Sequence, residues 1–253
     1  MRKLLLLIVS IVGNVSLVNQ AAHAAEVYLQ PLAKISGATN GVPPSDAIIL
    51  FDGSNLDAWH SVNGEQQADW TIADGVVTVK NGAGSIKTKK AFADMQLHIE
   101  FSPTAVIAGK GQSRGNSGIF LHSQFEVQVL DSWENPTYVN GQAGSVYLEH
   151  APLVNVSKPP GQWQSYDIIF TAPDFAVSGA LEVPAFVTVF HNGVLVLNNV
   201  EIFATSYTQR PEYSIRCTPY GQTTEQDCSG RMPITLQDHG QVVSFRNIWL
   251  REL

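Results

Sequence analysis

The feature that most restricts the fold of this 253-residue chain is a repeating pattern of short strand-like runs, each ended by turn residues. β-Branched and aromatic side chains dominate these runs, and apolar residues often alternate with polar ones. No stretch of ten or more residues carries a helical period of apolar residues. The pattern predicts an all-β sandwich built from about a dozen strands.

The predicted strands extend over most of the chain. They cover Ile48–Phe51, Trp70–Ala73, Val76–Lys80, Gly84–Thr88, Met95–Phe101, Ile119–Ser123, Phe125–Leu130, Ser145–Glu149, Gln164–Thr171, Phe186–Phe190, Val194–Leu197, Ile234–Gln237 and Val243–Leu250. Asp74-Gly75 and Asn192-Gly193 each separate two of these runs. Both dipeptides are typical of type I′ turns, so each predicts a β-hairpin.

The N-terminus has the three parts of a secretory signal peptide. Arg2 and Lys3 precede an apolar run that ends at Val12, and Ala22-His23-Ala24 has the small-residue pattern of a cleavage site. The apolar run is too short to span a membrane. We therefore expect a periplasmic or secreted protein, with no membrane span. The predicted organisation is a signal peptide over residues 1–24, a lead-in with several Pro and Gly residues over 25–45, and one domain over 46–253.

Charge and cysteine content narrow the functional classes. Removal of residues 1–24 leaves 22 acidic and 13 basic side chains, a formal charge of about −9. Because no basic patch is present to neutralise phosphates, we do not expect a nucleic-acid partner.

The chain has two cysteines, Cys217 and Cys228, in a segment rich in Gly, Pro and Thr. In an oxidising compartment these are expected to form a disulfide that closes one loop.

Polar residues are crowded into residues 114–132, RGNSGIFLHSQFEVQVLDS. Gly115 and Gly118 are expected to take positive φ or to allow close approach of a ligand. Period-two alternation in Phe125–Leu130 places Glu126 and Gln128 on one face of a strand and its valines on the other. A carboxylate and an amide that lie over a hydrophobic core describe the floor of a polar cleft.

Nine segments resemble the bacterial DUF1080 family, the 3-keto-disaccharide hydrolase domain. They are LFDGSNLDAW, WTIADGVVTV, RGNSGIF, FEVQVLDS, NGQAGSVY, QWQSYDIIFTAP, VTVFHNGVLV, ITLQDHG and FRNIWLREL, and they span roughly residues 46–253 in order. The resemblance implies a concanavalin A-like jelly-roll β-sandwich of two antiparallel sheets with a concave polar cleft. It also implies cleavage of carbohydrates whose glucose C3 hydroxyl has been oxidised to a ketone, with a sugar 3-oxidoreductase as the functional partner.

Cleavage by the implied route needs a base at C2, an acid at the leaving oxygen and donors or a cation for the enolate oxygen. The proton-transfer candidates are Glu126, Asp131, Asp238 and His239. Of these, His239 is preferred because an imidazole titrates near neutral pH. The candidates for substrate contact are Arg114, Asn116, Gln128 and Gln237, with His98, Glu100, Trp133 and Arg246 as further residues.

Several of these residues have a structural alternative. Glu126 could form an ion pair with Arg114 or Arg246, since an inward charge on a strand is costly unless it is used or paired. Strand alternation places Asp131 on the opposite face from Glu126, where it would cap the following turn, unless a β-bulge returns it to the cleft. His98 and Glu100 share a polar face, which periodicity assigns equally to the cleft or to solvent.

Alternative functions follow from the same pattern. The fold would also suit a lectin-like module that binds carbohydrate without catalysis, or a structural role in the envelope. Glu126-x-Gln128-x-x-Asp131 faintly resembles the E-x-D-x-x-E strand of family 16 glucanases, but Gln128 cannot ionise, which argues against a conventional two-carboxylate glycosidase. Carboxylate, imidazole and amide groups are of the types that hold a divalent cation, and no spacing diagnoses such a cofactor, so metal binding is left open.

Overall fold

The computed structural model describes residues 33–38, 41–64, 66–176, 180–204, 206 and 230–253. By its contacts the chain divides into two units, Met1–Gly37 and Ala38–Leu253. In the first unit, residues 33–37 are described and have no regular secondary structure. The predicted signal peptide, Cys217 and Cys228 lie outside the described residues.

The second unit is built almost entirely from β-strands. In chain order these are β1 (Ile48–Phe51), β2 (Trp59–Ser61), β3 (Thr71–Ala73), β4 (Val76–Thr78), β5 (Ile86–Thr88), β6 (Met95–Pro103), β7 (Asn116–Leu121), β8 (Phe125–Leu130), β9 (Gln164–Thr171), β10 (Asp174–Phe175), β11 (Leu181–Val183), β12 (Phe186–His191), β13 (Val194–Glu201), β14 (Thr235–Leu236) and β15 (Val243–Glu252). Two short 3₁₀ helices, Gly111–Ser113 and Val139–Gly141, are the helical elements of the described residues. None of the described helices is long and apolar enough to cross a membrane.

The strands form two large antiparallel sheets. One has eight strands in the order β13-β12-β9-β6-β15-β4-β3, with β1 also paired to β15. The other has five strands in the order β2-β5-β14-β7-β8, and a separate ribbon joins β10 and β11. The predicted all-β jelly-roll sandwich of two antiparallel sheets is confirmed.

The core lies between the two sheets, where the apolar positions of both meet. Leu97, Ile99 and Phe101 point inward from β6 because they occupy alternate positions of that strand. Across the core, the Phe125 ring of β8 lies 6.0 Å from the Phe170 ring of β9, centroid to centroid. The polar residues that alternate with these apolar ones therefore lie on the outer faces of the two sheets.

Most predicted strands agree with the structure to within a few residues. Both type I′ hairpins are confirmed, since Asp74, Gly75, Asn192 and Gly193 all have positive φ. The strand predicted over Ser145–Glu149 is wrong, because this segment is a tight turn with single bridges at Val146. The strands β2, β10 and β11 are not predicted, since two or three residues are too few to show an alternation.

Candidate functional site

One row of directly opposed residues crosses the outer face of the five-stranded sheet. His60 pairs with Lys87, Lys87 with Thr235, Thr235 with Phe120, and Phe120 with Glu126. Opposed residues of antiparallel strands project to the same side, so these five share one face. A pocket of about 320 Å³ lies on this face, and Lys87, Phe120 and Thr235 are among the residues that line it.

A second row runs beside the first, two residues along each strand. Gly118 pairs with Gln128, the Gln237 N–H donates to the Gly118 carbonyl, and the Gln128 N–H donates to the Ser145 carbonyl. Gln237 also lines the pocket. Antiparallel pairing of β14 with β7 and of β7 with β8 thus brings the Gly118 segment, the Glu126 strand and Gln237 together.

Gly118 makes room for the Glu126 carboxylate. A Cβ atom at Gly118 would lie 2.4 Å from Glu126 Oε1, closer than real side chains allow. Gly118 does not have positive φ, whereas Gly115 does, at +52°. Gly115 therefore takes positive φ, whereas Gly118 allows a close approach. The sequence left open which glycine does which. The carboxylate lies over the second row, and Glu126 is only 1% exposed.

Gln112 ties this floor to a neighbouring loop, and sequence reasoning misses it. Its Oε1 accepts hydrogen bonds from Gln128 Nε2 at 2.9 Å and from Asn116 Nδ2 at 3.2 Å, and its own Nε2 donates to the Gly141 carbonyl at 2.8 Å. Gln112 lies in a 3₁₀ turn with no period to show which way it points. The network fixes the orientation of both amides.

The side-chain N–H groups of Asn116 and Gln128 bind Gln112. Their side-chain oxygens therefore face the rest of the site. Asn116 Oδ1, Gln128 Oε1 and Ser145 Oγ are buried and have no hydrogen-bond partner among the described residues. A buried acceptor without a donor costs about 1–3 kcal/mol. Asn116 and Gln128 are candidates for donors to the substrate. In this geometry their buried oxygens are acceptors, and their contact with substrate stays a prediction.

Two tyrosines stand beside Glu126. The Tyr147 N–H donates to the Glu126 carbonyl, and the Tyr147 and Tyr138 hydroxyls share a hydrogen bond of 2.5 Å. Desolvation raises the pKa of Tyr138, and the hydrogen bond to Tyr147 and the negative charge of Glu126 raise it further. The Tyr138 phenol is therefore protonated at neutral pH, as an ordinary phenol also is.

Arg114 and Asp131 form a buried ion pair at the open end of the β7–β8 hairpin. Arg114 Nε donates to Asp131 Oδ2 at 2.6 Å, and Arg114 Nη2 donates to the Trp133 carbonyl. Asp131 Oδ1 also accepts the Trp133 N–H, the turn-capping contact that the parity of Asp131 predicts. These contacts brace the hairpin, and the predicted roles of the three residues in catalysis or substrate contact stay predictions.

Asp238 and His239 follow β14, directly after Gln237 of the second row. The Asp238 carboxylate accepts the N–H groups of Gly82, Gly84 and Gly240, which holds the loop before β5 against this turn. His239 is exposed in the same turn. Neither has a described contact with Glu126, so their role in proton transfer stays a prediction.

His98, Glu100 and Arg246 lie on the opposite surface of the molecule. All three are on the outer face of the eight-stranded sheet, where Arg246 Nε donates to Glu100 Oε2 at 2.6 Å and His98 Nδ1 lies 2.7 Å from Asp167 Oδ1. Because the core separates this face from Glu126, these three residues do not share a cleft with Glu126. Glu100 and Arg246 line a separate pocket of about 670 Å³, and the predicted contact of the three residues with substrate stays a prediction. The alternation in β6 correctly predicts that His98 and Glu100 point outward. Alternation alone does not show to which sheet the strand belongs.

Comparison with known proteins decides the family. The sequence matches the 3-keto-alpha-glucoside-1,2-lyase-like domain over residues 46–251. The chain belongs to this family. A crystal structure from Parabacteroides distasonis ATCC 8503, described as a "putative glycosyl hydrolase", is 43% identical, with a TM-score of 0.79 over 91% of this chain and 96% of that one.

Two other crystal structures from the same organism, with the same description, show the fold at lower identity. One is 20% identical with a TM-score of 0.57, and covers 87% of this chain and all of its own. The other is 24% identical with a TM-score of 0.54, over 82% of this chain and 99% of its own. A comparison with curated proteins gives no match. The chain is thus a carbohydrate-active domain of the 3-keto-alpha-glucoside-1,2-lyase-like family.

The site of this lyase-like domain contains residues that sequence reasoning does not select. Lys87 alternates with Ile86 and Thr88, so its outward direction could be read from the strand, but the sequence does not reveal that β5 lies beside β14. Tyr138 and Tyr147 are placed by a loop with no alternation. Within the described ranges, no group of three or more His, Cys, Asp or Glu residues is arranged to hold a metal ion.

Proposed function

We propose that this domain hydrolyses 3-keto-glycosides by elimination followed by addition of water. A ketone at C3 acidifies the hydrogen on C2, and the glycosidic oxygen on C1 is β to that ketone. Removal of the C2 proton gives an enolate, whose electrons form the C1–C2 double bond as the C1–O bond breaks. Water then adds its oxygen to C1 of the enone while C2 regains a proton, so the sum of the steps is hydrolysis.

The observation that carries the proposal is the Glu126 carboxylate seated over Gly118. A general base must lie within hydrogen-bond reach of the proton that it removes, and its position must be fixed. Because Gly118 has no Cβ, the Glu126 carboxylate can lie directly against β7. The pairing of β7 with β8 holds the backbone of Glu126 in place. We assign Glu126 as the base at C2, in keeping with the elimination chemistry in the family's description.

The dimensions of the site agree with a substrate of two sugar rings. Three strand spacings of about 4.8 Å separate Glu126 from Lys87 along the first row. The pocket of about 320 Å³ occupies the Lys87 end of that row. The buried oxygens of Asn116 and Gln128 suit sugar hydroxyls, which can donate, and not the C3 ketone, which cannot. The ketone is therefore expected to point away from these two amides.

The decisive experiment gives the purified protein a 3-keto-disaccharide in deuterated water. Release of the second sugar and deuterium at C2 of the product are followed together, with the unoxidised disaccharide as the control substrate. We expect release with C2 labelling from the keto sugar, and little release from the control. Release without labelling would favour direct displacement at C1, and tight binding without release would favour a lectin-like module.

Compartment and partner belong to the same proposal. The signal sequence supports export to the periplasm or medium, where a Cys217–Cys228 disulfide could form. The substrate must be supplied by an oxidoreductase that oxidises the C3 hydroxyl of a glycoside. N-terminal sequencing of exported protein should begin near Ala25, and two free thiols in oxidised protein would contradict the disulfide.

A further inference from the structure

The loop that carries Tyr138 and Tyr147 is built to hold the two phenols in place. Asn140 and Leu148 exchange two hydrogen bonds of 2.8 Å, one through the Asn140 carbonyl and one through its side-chain amide. A Cβ atom at Gly141 would lie 2.1 Å from the Tyr138 ring, so the ring packs directly on this glycine. The loop is thus closed by its own contacts.

The same loop is fastened to the floor of the site and carries local strain. Gln112 bonds the Gly141 carbonyl on one side and the amides of Asn116 and Gln128 on the other. Leu148, directly after Tyr147, has a φ of +64°. A left-handed conformation in a residue other than glycine costs about 1–3 kcal/mol and is often found at functional sites.

Tyr138 is the member of the pair that a ligand can reach. The described hydrogen bond of its hydroxyl is the one shared with Tyr147, in which either phenol can donate. Tyr138 is 42% exposed, so a ligand can reach its hydroxyl from solvent. Tyr147 is joined through its backbone to Glu126, which places the pair next to the proposed base.

We propose that the Tyr138–Tyr147 pair is the acid that protonates the departing glycosidic oxygen. The inference rests on the proposed function, with Glu126 as the base. In the elimination, the C2 proton passes to Glu126, the C1–O bond breaks, and the released oxygen takes a phenolic proton. In the hydration, the resulting phenolate takes a proton from the water whose oxygen adds to C1, and Glu126, after its proton has exchanged with solvent, protonates C2. Both groups end in their starting states.

The test compares leaving groups in the Tyr138→Phe and Tyr147→Phe variants and their combination. Phenylalanine keeps the ring packing on Gly141 and removes only the hydroxyl. With an alkyl 3-keto-glycoside, whose leaving oxygen needs a proton, we expect kcat to fall by about 10²–10⁴-fold in the double variant. With a 4-nitrophenyl 3-keto-glycoside, whose leaving oxygen needs none, we expect a loss of less than about 5-fold, since acid catalysis then contributes little.

Deuterium exchange separates this inference from the proposed function. The Tyr variants keep Glu126, so they should still exchange the C2 hydrogen of the alkyl substrate without releasing the alcohol, whereas Glu126→Gln should lose exchange as well. An equal loss of kcat with both leaving groups, or normal kcat with the alkyl substrate, would overturn the role of the pair. Failure of the wild-type protein to release either group would instead overturn the proposed function. Thermal unfolding of each variant identifies any that is not folded.

Discussion

The outer faces of the two sheets each carry a largely buried carboxylate, and they differ in what surrounds it. Around Glu100, Arg246 and Asn247 donate hydrogen bonds at 2.6 and 2.9 Å, and His98 pairs with Asp167 and stacks on Trp249 with ring centroids 5.1 Å apart. Burial raises the pKa of Glu100, but the bonds from Asn247 and Arg246 outweigh burial and leave its pKa lowered. This face is an internally satisfied network.

The Glu126 face is less complete. The side-chain oxygens of Asn116 and Gln128 are buried on this face and have no donor among the described residues. Both faces carry a pocket and a residue other than glycine with positive φ, Leu148 here and Asn247 beside Glu100, so these two features do not distinguish the faces. A buried acceptor without a donor lowers the stability of the folded protein. Unsatisfied groups are expected where a ligand completes them. This contrast is the reason that we place the proposed site on the Glu126 face and expect the Glu100 network to stabilise the fold.

Glu126→Gln tests the functional face and should have the largest effect. Glutamine keeps the size of the side chain but cannot accept the C2 proton. We therefore expect turnover of a 3-keto-disaccharide to fall by about 10²–10⁴-fold, the usual contribution of a positioned base. Steady-state kinetics on the purified variant measures the loss.

The matched control is Asp167→Asn on the other sheet, which removes a carboxylate that pairs with His98. Its kcat should stay within about twofold of the wild-type value, because it lies on the far side of the core. Similar losses of kcat in both variants would mean that the two faces are not functionally distinct.

Asp131→Asn tests the ion pair that braces the functional face. The Asp131 side chain is 2% exposed and Arg114 is 10% exposed, so the variant leaves a buried guanidinium without its counter-charge. Breaking a buried pair in this way costs about 3–5 kcal/mol. Urea unfolding should show this loss, while Asp69→Asn, which breaks the exposed pair with Lys80, should cost less than about 1 kcal/mol. Equal losses would contradict the structural role of the Arg114 pair.

His191, in the core between the faces, should make the fold sensitive to acid. Burial lowers the pKa of His191 to about 4, and the charge of Lys158 adds to this effect. The unfolded chain, with an ordinary pKa near 6.5, binds the proton first, so stability is lost as pH falls from about 6.5 to about 4. The loss should approach 3 kcal/mol, at about 1.4 kcal/mol per pH unit.

Replacement of His191 shows whether the acid sensitivity begins in the core. Urea unfolding of His191→Gln at several pH values should show a flatter dependence than the wild type between pH 6.5 and 4. Flattening by Glu100→Gln in this range instead would place the effect in the outer network. The lowered pKa of Glu100 predicts that its contribution is lost only at more acidic pH, as the folded-state carboxylate takes up its proton.

Local pattern predicts much of the fold and part of the site. Alternation in Phe125–Leu130 gives the direction of Glu126 and Gln128 correctly, because a strand has a period of two whatever its partners are. The same rule gives the outward direction of His98 and Glu100, yet the sequence does not say that β6 and β8 belong to different sheets. Sheet membership depends on pairing between distant segments, which leaves no local pattern.

The rest of the site depends on turns and on contacts between side chains. Gln112 and Tyr138 reach the floor from short 3₁₀ turns, whose residues have no period to show direction. The sequence shows that Gly118 lies in a polar segment, but it does not show that Gly118 makes room for the Glu126 carboxylate of the neighbouring strand. Ser145 lies in a segment whose apolar residues suggest a strand, whereas a turn forms there.

Glu100→Gln makes the smallest change and tests the comparison most directly. Glutamine has a single side-chain oxygen, so it can still accept the bond from Asn247, but its NH2 group then faces the Arg246 N–H and that bond is lost. Because Arg246 is 41% exposed and also stacks on Trp163 at 4.1 Å, solvent and the indole ring compensate part of the loss. We expect about 1 kcal/mol less stability in urea unfolding and an unchanged kcat and KM for the keto sugar. A kcat reduced as strongly as in Glu126→Gln, at normal stability, would show that the satisfied network also takes part in the reaction, and the division of roles between the two faces would fail.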